Sequence, residues 1–248
     1  MSTLKGKTAF VTGGTRGMGA AIVKRLASEG ANVIFSYVSS EETAENMVKS
    51  IKESGGESFA IKIDSSVKGA LEKAITDISQ KYGKIDILVN NAAISVKGSL
   101  ETASERIDEY DRQINVNIRA VSEAVRTVVK YMPDGGRIVS IGSVGAHHIG
   151  SPYMSDYIAT KAAIGAYTRG LAWDLAPRNI TVNTVEPGAI DTDMLPSDDE
   201  IRDAFINAIP LKRFGKPEEV ASLVNFLAGP ESSYITGSSF TIDGGISA

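Results

Sequence analysis

The sequence predicts a single α/β domain built on a doubly wound, mostly parallel sheet of seven strands with helices on both faces. Three observations carry this reading. Seven short apolar runs alternate with longer amphipathic stretches, the pattern of repeated strand–helix–strand units. The runs are apolar at both alternating sets of positions, as Ile85, Ile87, Leu88 and Val89 illustrate, and strands covered on both faces read that way. The chain has 248 residues, a length that suits one such domain. No Gly/Ser-rich or Pro-rich linker divides it, and no internal repeat is visible.

In chain order, strands are expected at residues 8–12, 32–37, 58–63, 85–90, 136–141, 181–186 and 239–242. Helices are expected at 17–28, 41–54, 68–82, 107–131, 156–176 and 217–228. One long polar stretch, about 187–214, fits neither pattern. Irregular segments of that length are often lids, and residues 189–214 are read as a substrate lid.

Composition narrows the function. Charged residues make up 23% of the chain and apolar ones 42%, with a net charge of -4. That is ordinary for a soluble globular protein and leaves no basic footprint for nucleic acid or an anionic membrane. The absence of cysteine removes disulfides, thiolate metal sites and cysteine nucleophiles. No metal site is expected. The first residues lack the apolar core of a signal peptide, and no apolar run approaches the roughly 20 residues that span a bilayer. A cytoplasmic protein is the expectation.

The first strand runs into Thr12-Gly13-Gly14-Thr15-Arg16-Gly17-Met18-Gly19, and a helix begins at once. Glycines permit positive φ and close approach of backbone to a ligand. The helix N-terminus then offers unpaired N–H groups and partial positive charge to a pyrophosphate. The spacing is G-x-x-x-G-x-G, which differs from the commoner dinucleotide fingerprint. Candidate cofactor contacts here are Gly13, Thr15, Arg16, Gly17, Met18 and Gly19.

The end of the second strand bears on cofactor choice. An NAD-binding domain usually places a carboxylate there for the ribose 2′-hydroxyl. Here the segment is Ser36-Tyr37-Val38-Ser39-Ser40. Ser36, Tyr37 and Ser39 offer hydroxyls, and Arg16 offers a cation for a 2′-phosphate. NADP(H) is therefore expected in preference to NAD. The alternative is a solvated Arg16 with Glu41 or Glu42 reaching round to the ribose.

Tyr157 and Lys161 are four apart on an expected helix, hence on one face. A free phenol is a poor base near neutrality. A nearby ammonium favours phenolate, so the pair can exchange a proton with an alcohol or a forming alkoxide. Ser143 follows the fifth strand, at the sheet end where ligands bind in open α/β folds, and can hydrogen-bond a substrate oxygen.

Taken together, these motifs resemble the short-chain dehydrogenase/reductase family along essentially the whole chain, and the resemblance implies a Rossmann-type fold. Thr12–Gly19 resembles its TGxxxGxG loop. Asp64, followed by Ser65, stands where the family meets the adenine. Asn90-Asn91-Ala92-Ala93 resembles its NNAG, with Ala93 in place of glycine. Asn117 resembles the asparagine of the catalytic tetrad, with Asn115 as a competitor two residues earlier. Ser143, Tyr157 and Lys161 match the other three positions. Pro187-Gly188, Ile190 and Thr192 match the turn that holds the nicotinamide amide, and Thr236-Gly237 with Asp243-Gly244-Gly245 match the last strand.

The resemblance implies that Tyr157 is the general acid or base, and that Lys161 tunes it and binds the nicotinamide ribose. Ser143 polarises the carbonyl, and Asn117 holds a water leading from Lys161 to solvent. The expected activity is hydride transfer between NADP(H) and a small ketone or secondary alcohol. Family members usually assemble through two long helices, here 107–131 and 156–176, and the last strand, so a homotetramer is expected.

Within the family, 3-oxoacyl-carrier-protein reductases are close, although the acidic lid opposes an acidic carrier. Residues 132–137 and 189–193 also resemble proteins described as cyclic-di-GMP-binding biofilm-dispersal mediators, which leaves open a regulatory protein on the same fold. His147 and His148 are expected in a plain loop after Ser143. Asp191, Asp193, Asp198, Asp199 and Glu200 read as a solvated stretch extended by repulsion, and Trp173 as a packing residue.

Overall fold

The computed structural model describes residues 3–148 and 152–248. Seven strands form one sheet: β1 (Thr8–Val11), β2 (Asn32–Tyr37), β3 (Glu57–Lys62), β4 (Ile87–Asn90), β5 (Arg137–Ile141), β6 (Thr181–Pro187) and β7 (Ser239–Ile242). Their order is β3-β2-β1-β4-β5-β6-β7, and every neighbouring pair is parallel. The sequence reading allowed a mixed sheet; the pairing is wholly parallel. The chain winds outward from β1 to β3 and then returns to β4 on the other side of β1. That reversal opens a crevice beyond the carboxyl ends of β1 and β4, where such sheets bind ligands.

The helices are α1 (Gly17–Ser28), α2 (Glu41–Glu53), α3 (Ala70–Tyr82), α4 (Ile107–Ile114), α5 (Ala120–Val128), α6 (Ser155–Leu175), α7 (Asp199–Ala208) and α8 (Pro217–Ala228). Two apolar cores lie against opposite faces of the sheet. Ala9, Val11, Val33 and Phe35 pack with Ile22 and Leu26 of α1, Met47 of α2 and Val224 of α8. Phe10, Ile34 and Leu88 pack instead with Ile75 of α3, Val125 of α5 and Leu171 of α6. Successive strand residues point to opposite faces, so Phe10 and Val11 enter different cores. This is why the strands lack polar alternation. Burying a side chain of Phe10's size contributes about 1.5–3 kcal/mol.

Three expectations need correction. The single helix expected at 107–131 is α4 and α5 joined through a π-helical turn, Asn115–Arg119. A π turn carries one surplus residue and is common at functional sites. The stretch 187–214, read as irregular, contains α7. Its N-terminus is capped by Asp198, which accepts from the Ile201 N–H at 3.0 Å, and Asp199 and Glu200 complement the helix dipole. Trp173, read as a packing residue, is 85% exposed on α6. Among the described residues, no helix is long and apolar enough to cross a membrane.

Candidate active site

The glycine loop is shaped by its own backbone and held from three sides. Gly13 and Gly17 have φ of 68° and 50°, left-handed values that favour glycine. A Cβ on Gly19 would lie 2.1 Å from the Gly13 carbonyl oxygen, so α1 can begin here only with no side chain. Asn91 Nδ2 donates to the Thr12 and Gly13 carbonyls, both at 2.9 Å. Thr12 Oγ1 in turn accepts from the Asn91 and Ala92 N–H groups. Ser36 Oγ accepts from Gly13 N–H at 3.0 Å.

The resulting cradle has free donors. Arg16 occupies the N-cap of α1 and gives no side-chain cap, which leaves the first-turn N–H groups directed outward. Met18 is partly buried and packs against the core. Thr15 is half-buried beside them.

Other candidate cofactor residues divide by how they are placed. Ser36 and Tyr37 are buried, and the Ser36 hydroxyl oxygen accepts from the glycine loop. Ser39 is exposed at the end of β2. Asp64 accepts from the Ser66 N–H and hydroxyl at 2.9 and 2.7 Å, and from Arg112 at 3.2 Å. Burial pushes its carboxyl up, but these donors outweigh it and leave the group below the usual carboxylate range. Ser65 is buried, while Asn91, Ala92 and Ala93 form a half-buried edge beyond β4. Pro187 ends β6, and Gly188 lies so close to Asp243 that a Cβ would come within 2.6 Å. Ile190 is buried and bridges to Gly215. Thr192 rests on the glycine loop, its methyl 3.1 Å from where a Gly17 Cβ would be.

The four candidate catalytic residues converge from three elements. Tyr157 and Lys161 lie on α6, with the Lys161 ammonium 5.8 Å from the centre of the phenol ring. Lys161 is buried and donates to the Ile141 carbonyl at 2.9 Å. Burial pushes its pKa down to about 8 and that of Tyr157 up to about 12. The sequence reading expected the ammonium to lower the phenol. In this structure desolvation dominates, because the ammonium is bonded to a carbonyl instead of the phenol.

Ser143 caps a short 3-10 turn, Val144–Ala146, by accepting from the Gly145 N–H at 3.1 Å. Its oxygen is engaged as acceptor, so its proton is left to donate. Gly145 abuts Ile158, which seats this turn on α6 beside Tyr157.

Asn117 lies on the π turn and is buried. Its Oδ1 accepts from the Ile94 N–H at 3.0 Å. Its Nδ2 donates to the Ile94 carbonyl at 2.9 Å and to Thr160 Oγ1 at 3.0 Å. Thr160 Oγ1 donates to the Tyr157 carbonyl at 2.6 Å. Asn115 makes none of these bonds. The Asn117 side chain is therefore a clamp joining the loop after β4, the π turn and α6.

Several participants were absent from the sequence reading. Thr160 had a signal, since it follows Tyr157 by three on the same helix. His147 Nε2 lies 3.3 Å from Glu186 Oε2, an exposed imidazole against a buried carboxylate. The acidic stretch is not merely solvated: Asp191 pairs with Arg202 at 2.9 Å, Asp193 pairs with Arg16, and Asp198 caps α7. Among the described residues, no cluster of three His, Asp or Glu could hold a metal ion.

A family model described as enoyl-(acyl carrier protein) reductase matches residues 13–247. A short-chain dehydrogenase of Burkholderia cenocepacia, solved in complex with NADP, superposes with a TM-score of 0.95 at 46% identity, covering 99% of this chain and 100% of that one. This chain belongs to the short-chain dehydrogenase/reductase family. Among relatives of this family, the cyclic-di-GMP-binding biofilm dispersal mediator protein of Escherichia coli is 42% identical over 248 residues, 100% of both chains. A 3-oxoacyl-[acyl-carrier-protein] reductase of Staphylococcus epidermidis is 38% identical over 244 residues, 97% of this chain and 98% of the relative. Membership makes the chain a short-chain oxidoreductase by family and accounts for the glycine loop at β1 and the tyrosine and lysine on α6.

Proposed function

We propose that this chain is an NADP(H)-dependent oxidoreductase that interconverts a ketone and a secondary alcohol, with Tyr157 as general acid/base. The observation that carries this is the convergence on α6 of a half-buried phenol, a buried ammonium and a serine hydroxyl whose proton is free to donate. The cradle fits the cofactor: its positive-φ glycines and its uncapped α1 N-terminus suit a pyrophosphate. When bound, the cofactor supplies or accepts the hydride.

The chain's own residues do the rest. Ser143 donates to the substrate oxygen and polarises it. Tyr157, protonated near neutrality, delivers its proton to that oxygen as the alcohol forms, and takes one back in oxidation. Lys161 sits under this exchange, held by the Ile141 carbonyl. Arg16 and Ser39 are the groups offered to a 2′-phosphate. NADP in the Burkholderia relative supports the cofactor assignment.

The name of the Escherichia coli relative raises a regulatory reading, but the arginines at the 132–137 segment are already engaged. Within 132–137, Asp134 is paired with Arg178 at 2.9 Å, and Arg137 donates to the Gly135 and Gly136 carbonyls. That segment also lies at the opposite end of the sheet from Tyr157.

The test is NADPH oxidation against a panel of ketones, with Tyr157→Phe as control. The parent turns over, and the variant binds NADPH but loses about 10²–10⁴ in rate. A Tyr157→Phe enzyme with near-normal turnover defeats the assignment.

A further inference from the structure

We propose that Asp193 is a cofactor-specificity residue: its carboxylate competes with the 2′-phosphate of NADP(H) for the guanidinium of Arg16. This rests on the NADP(H) reading above and extends it to a residue outside the glycine loop and β2.

Arg16 stands at the N-cap of α1, on the edge of the cradle, and its side chain is 71% exposed. Among the described residues its one ion-pair and hydrogen-bond partner is Asp193, itself 49% exposed. The two are 177 residues apart in sequence, so the contact is made by the fold. Thr192, packed against Gly17, brings Asp193 over the loop. Lys62, at the end of β3, faces Glu41 at 3.8 Å, and Ser36 and Tyr37 are buried. A 2′-phosphate thus has Arg16 as its cation, and Arg16 already holds a carboxylate.

The competition has a definite direction. An exposed carboxylate–guanidinium pair is weak and screened by salt. A phosphate monoester carries more charge and three acceptor oxygens, and arginine binds it in a bidentate manner. NADP(H) therefore displaces Asp193 and binds less tightly than Arg16 alone would allow. A cofactor with a bare 2′-hydroxyl brings nothing to displace it. Asp193 consequently weakens NADP(H) binding and leaves NAD(H) binding alone, narrowing the preference that Arg16 creates. Release of Asp193 also unties the lid from the glycine loop. The segment stays attached to α7 through Arg202, which pairs with Asp191 and lies 4.8 Å over the Phe214 ring.

The experiment measures dissociation constants of NADPH and NADH by calorimetry for the full-length parent, Asp193→Asn, Arg16→Ala and the double variant. The phosphate itself is probed with adenosine 2′,5′-bisphosphate against AMP. Asp193→Asn should tighten NADPH and the bisphosphate by about two- to five-fold at low ionic strength, the scale of an exposed ion pair. NADH and AMP should be unchanged, the gain should shrink with added salt, and it should vanish in the Arg16→Ala background. Equal shifts for NADPH and NADH would assign Asp193 to lid structure alone and overturn the proposal, as would no shift in either. If Arg16→Ala narrows the cofactor ratio and Asp193→Asn leaves it fixed, only this inference fails. If Arg16→Ala leaves the ratio fixed, the reading of Arg16 beneath it fails as well.

Discussion

Asn117 Nδ2 donates to Thr160 Oγ1 at 3.0 Å, and Thr160 passes a hydrogen bond to the Tyr157 carbonyl at 2.6 Å. The π turn is thereby fastened to the helix turn that carries the phenol. The position of Tyr157 depends on a residue that need not touch substrate through its side chain.

Asn117→Ala should cost stability and rate together. The Ile94 N–H and carbonyl lose their partner, and a buried polar group left unpaired costs about 1–3 kcal/mol. Chemical denaturation measures that loss, and turnover should fall further than the unfolded fraction explains. Asn115→Ala, which breaks none of these bonds, is the matched control. Equal effects from the two would remove the clamp.

Lys161 gives the fold a distinctive pH dependence. Its pKa falls from 10.5 to about 8 on burial. Between those values the unfolded chain holds a proton that the folded chain has released, so stability rises with pH across the window. Tyr157 acts oppositely at higher pH: raised from 10.0 to about 12, it makes stability fall there. Thermal unfolding of the parent against Lys161→Met should show the parent gaining on the variant from about pH 8 upward. A constant gap would mean that the ammonium is solvated.

Gly19→Ala should disable the cradle. Its methyl would meet the Gly13 carbonyl at 2.1 Å, so either the loop or the start of α1 must move. Overpacking of this kind typically costs about 1–3 kcal/mol. NADPH titration should show weak or absent binding even where the variant folds, whereas Gly170→Ala, with nothing within 4 Å, should bind normally.

Trp173 predicts assembly. Its ring is 85% exposed on α6, one of the two helices through which the family's resemblance implies pairing. Light scattering should give a tetramer, and the single tryptophan should emit as a buried indole. Trp173→Glu should shift both readings toward smaller, solvent-exposed species. A monomeric parent with red-shifted emission contradicts this.

What could be read from sequence was local or periodic. The glycine loop was legible because positive φ and close approach leave few residue choices at Gly13, Gly17 and Gly19. The inner strands β1, β2, β4, β5 and β6 were legible because both faces are buried. Ser36 and Tyr37 are expected as cofactor contacts from their position at the end of β2; both are buried, and the Ser36 hydroxyl accepts from the glycine loop, a bond that no local pattern announces. The π turn was invisible because it is held by tertiary bonds from Asn117 to Ile94 and Thr160. α7 was missed because Ile201, Phe205 and Ile206 are too few, among acidic and polar neighbours, to set a helical rhythm. The pairing of Arg16 with Asp193 joins residues that no local pattern connects.

The π turn also makes residue number a functional quantity. One residue removed from Asn115–Arg119 would let α4 and α5 run on as an ordinary helix. Each α-helical residue turns the chain by about 100°, and the wide turn takes up its surplus residue without adding a turn, so the flanking helices would keep nearly their present phase. Gln113, which is fully buried and accepts from the Val96 N–H at 2.6 Å, would stay seated, whereas Asn117, inside the turn, would lose its aim at Ile94 and Thr160. A single-codon deletion here would therefore spare the packing of the helix and remove the clamp.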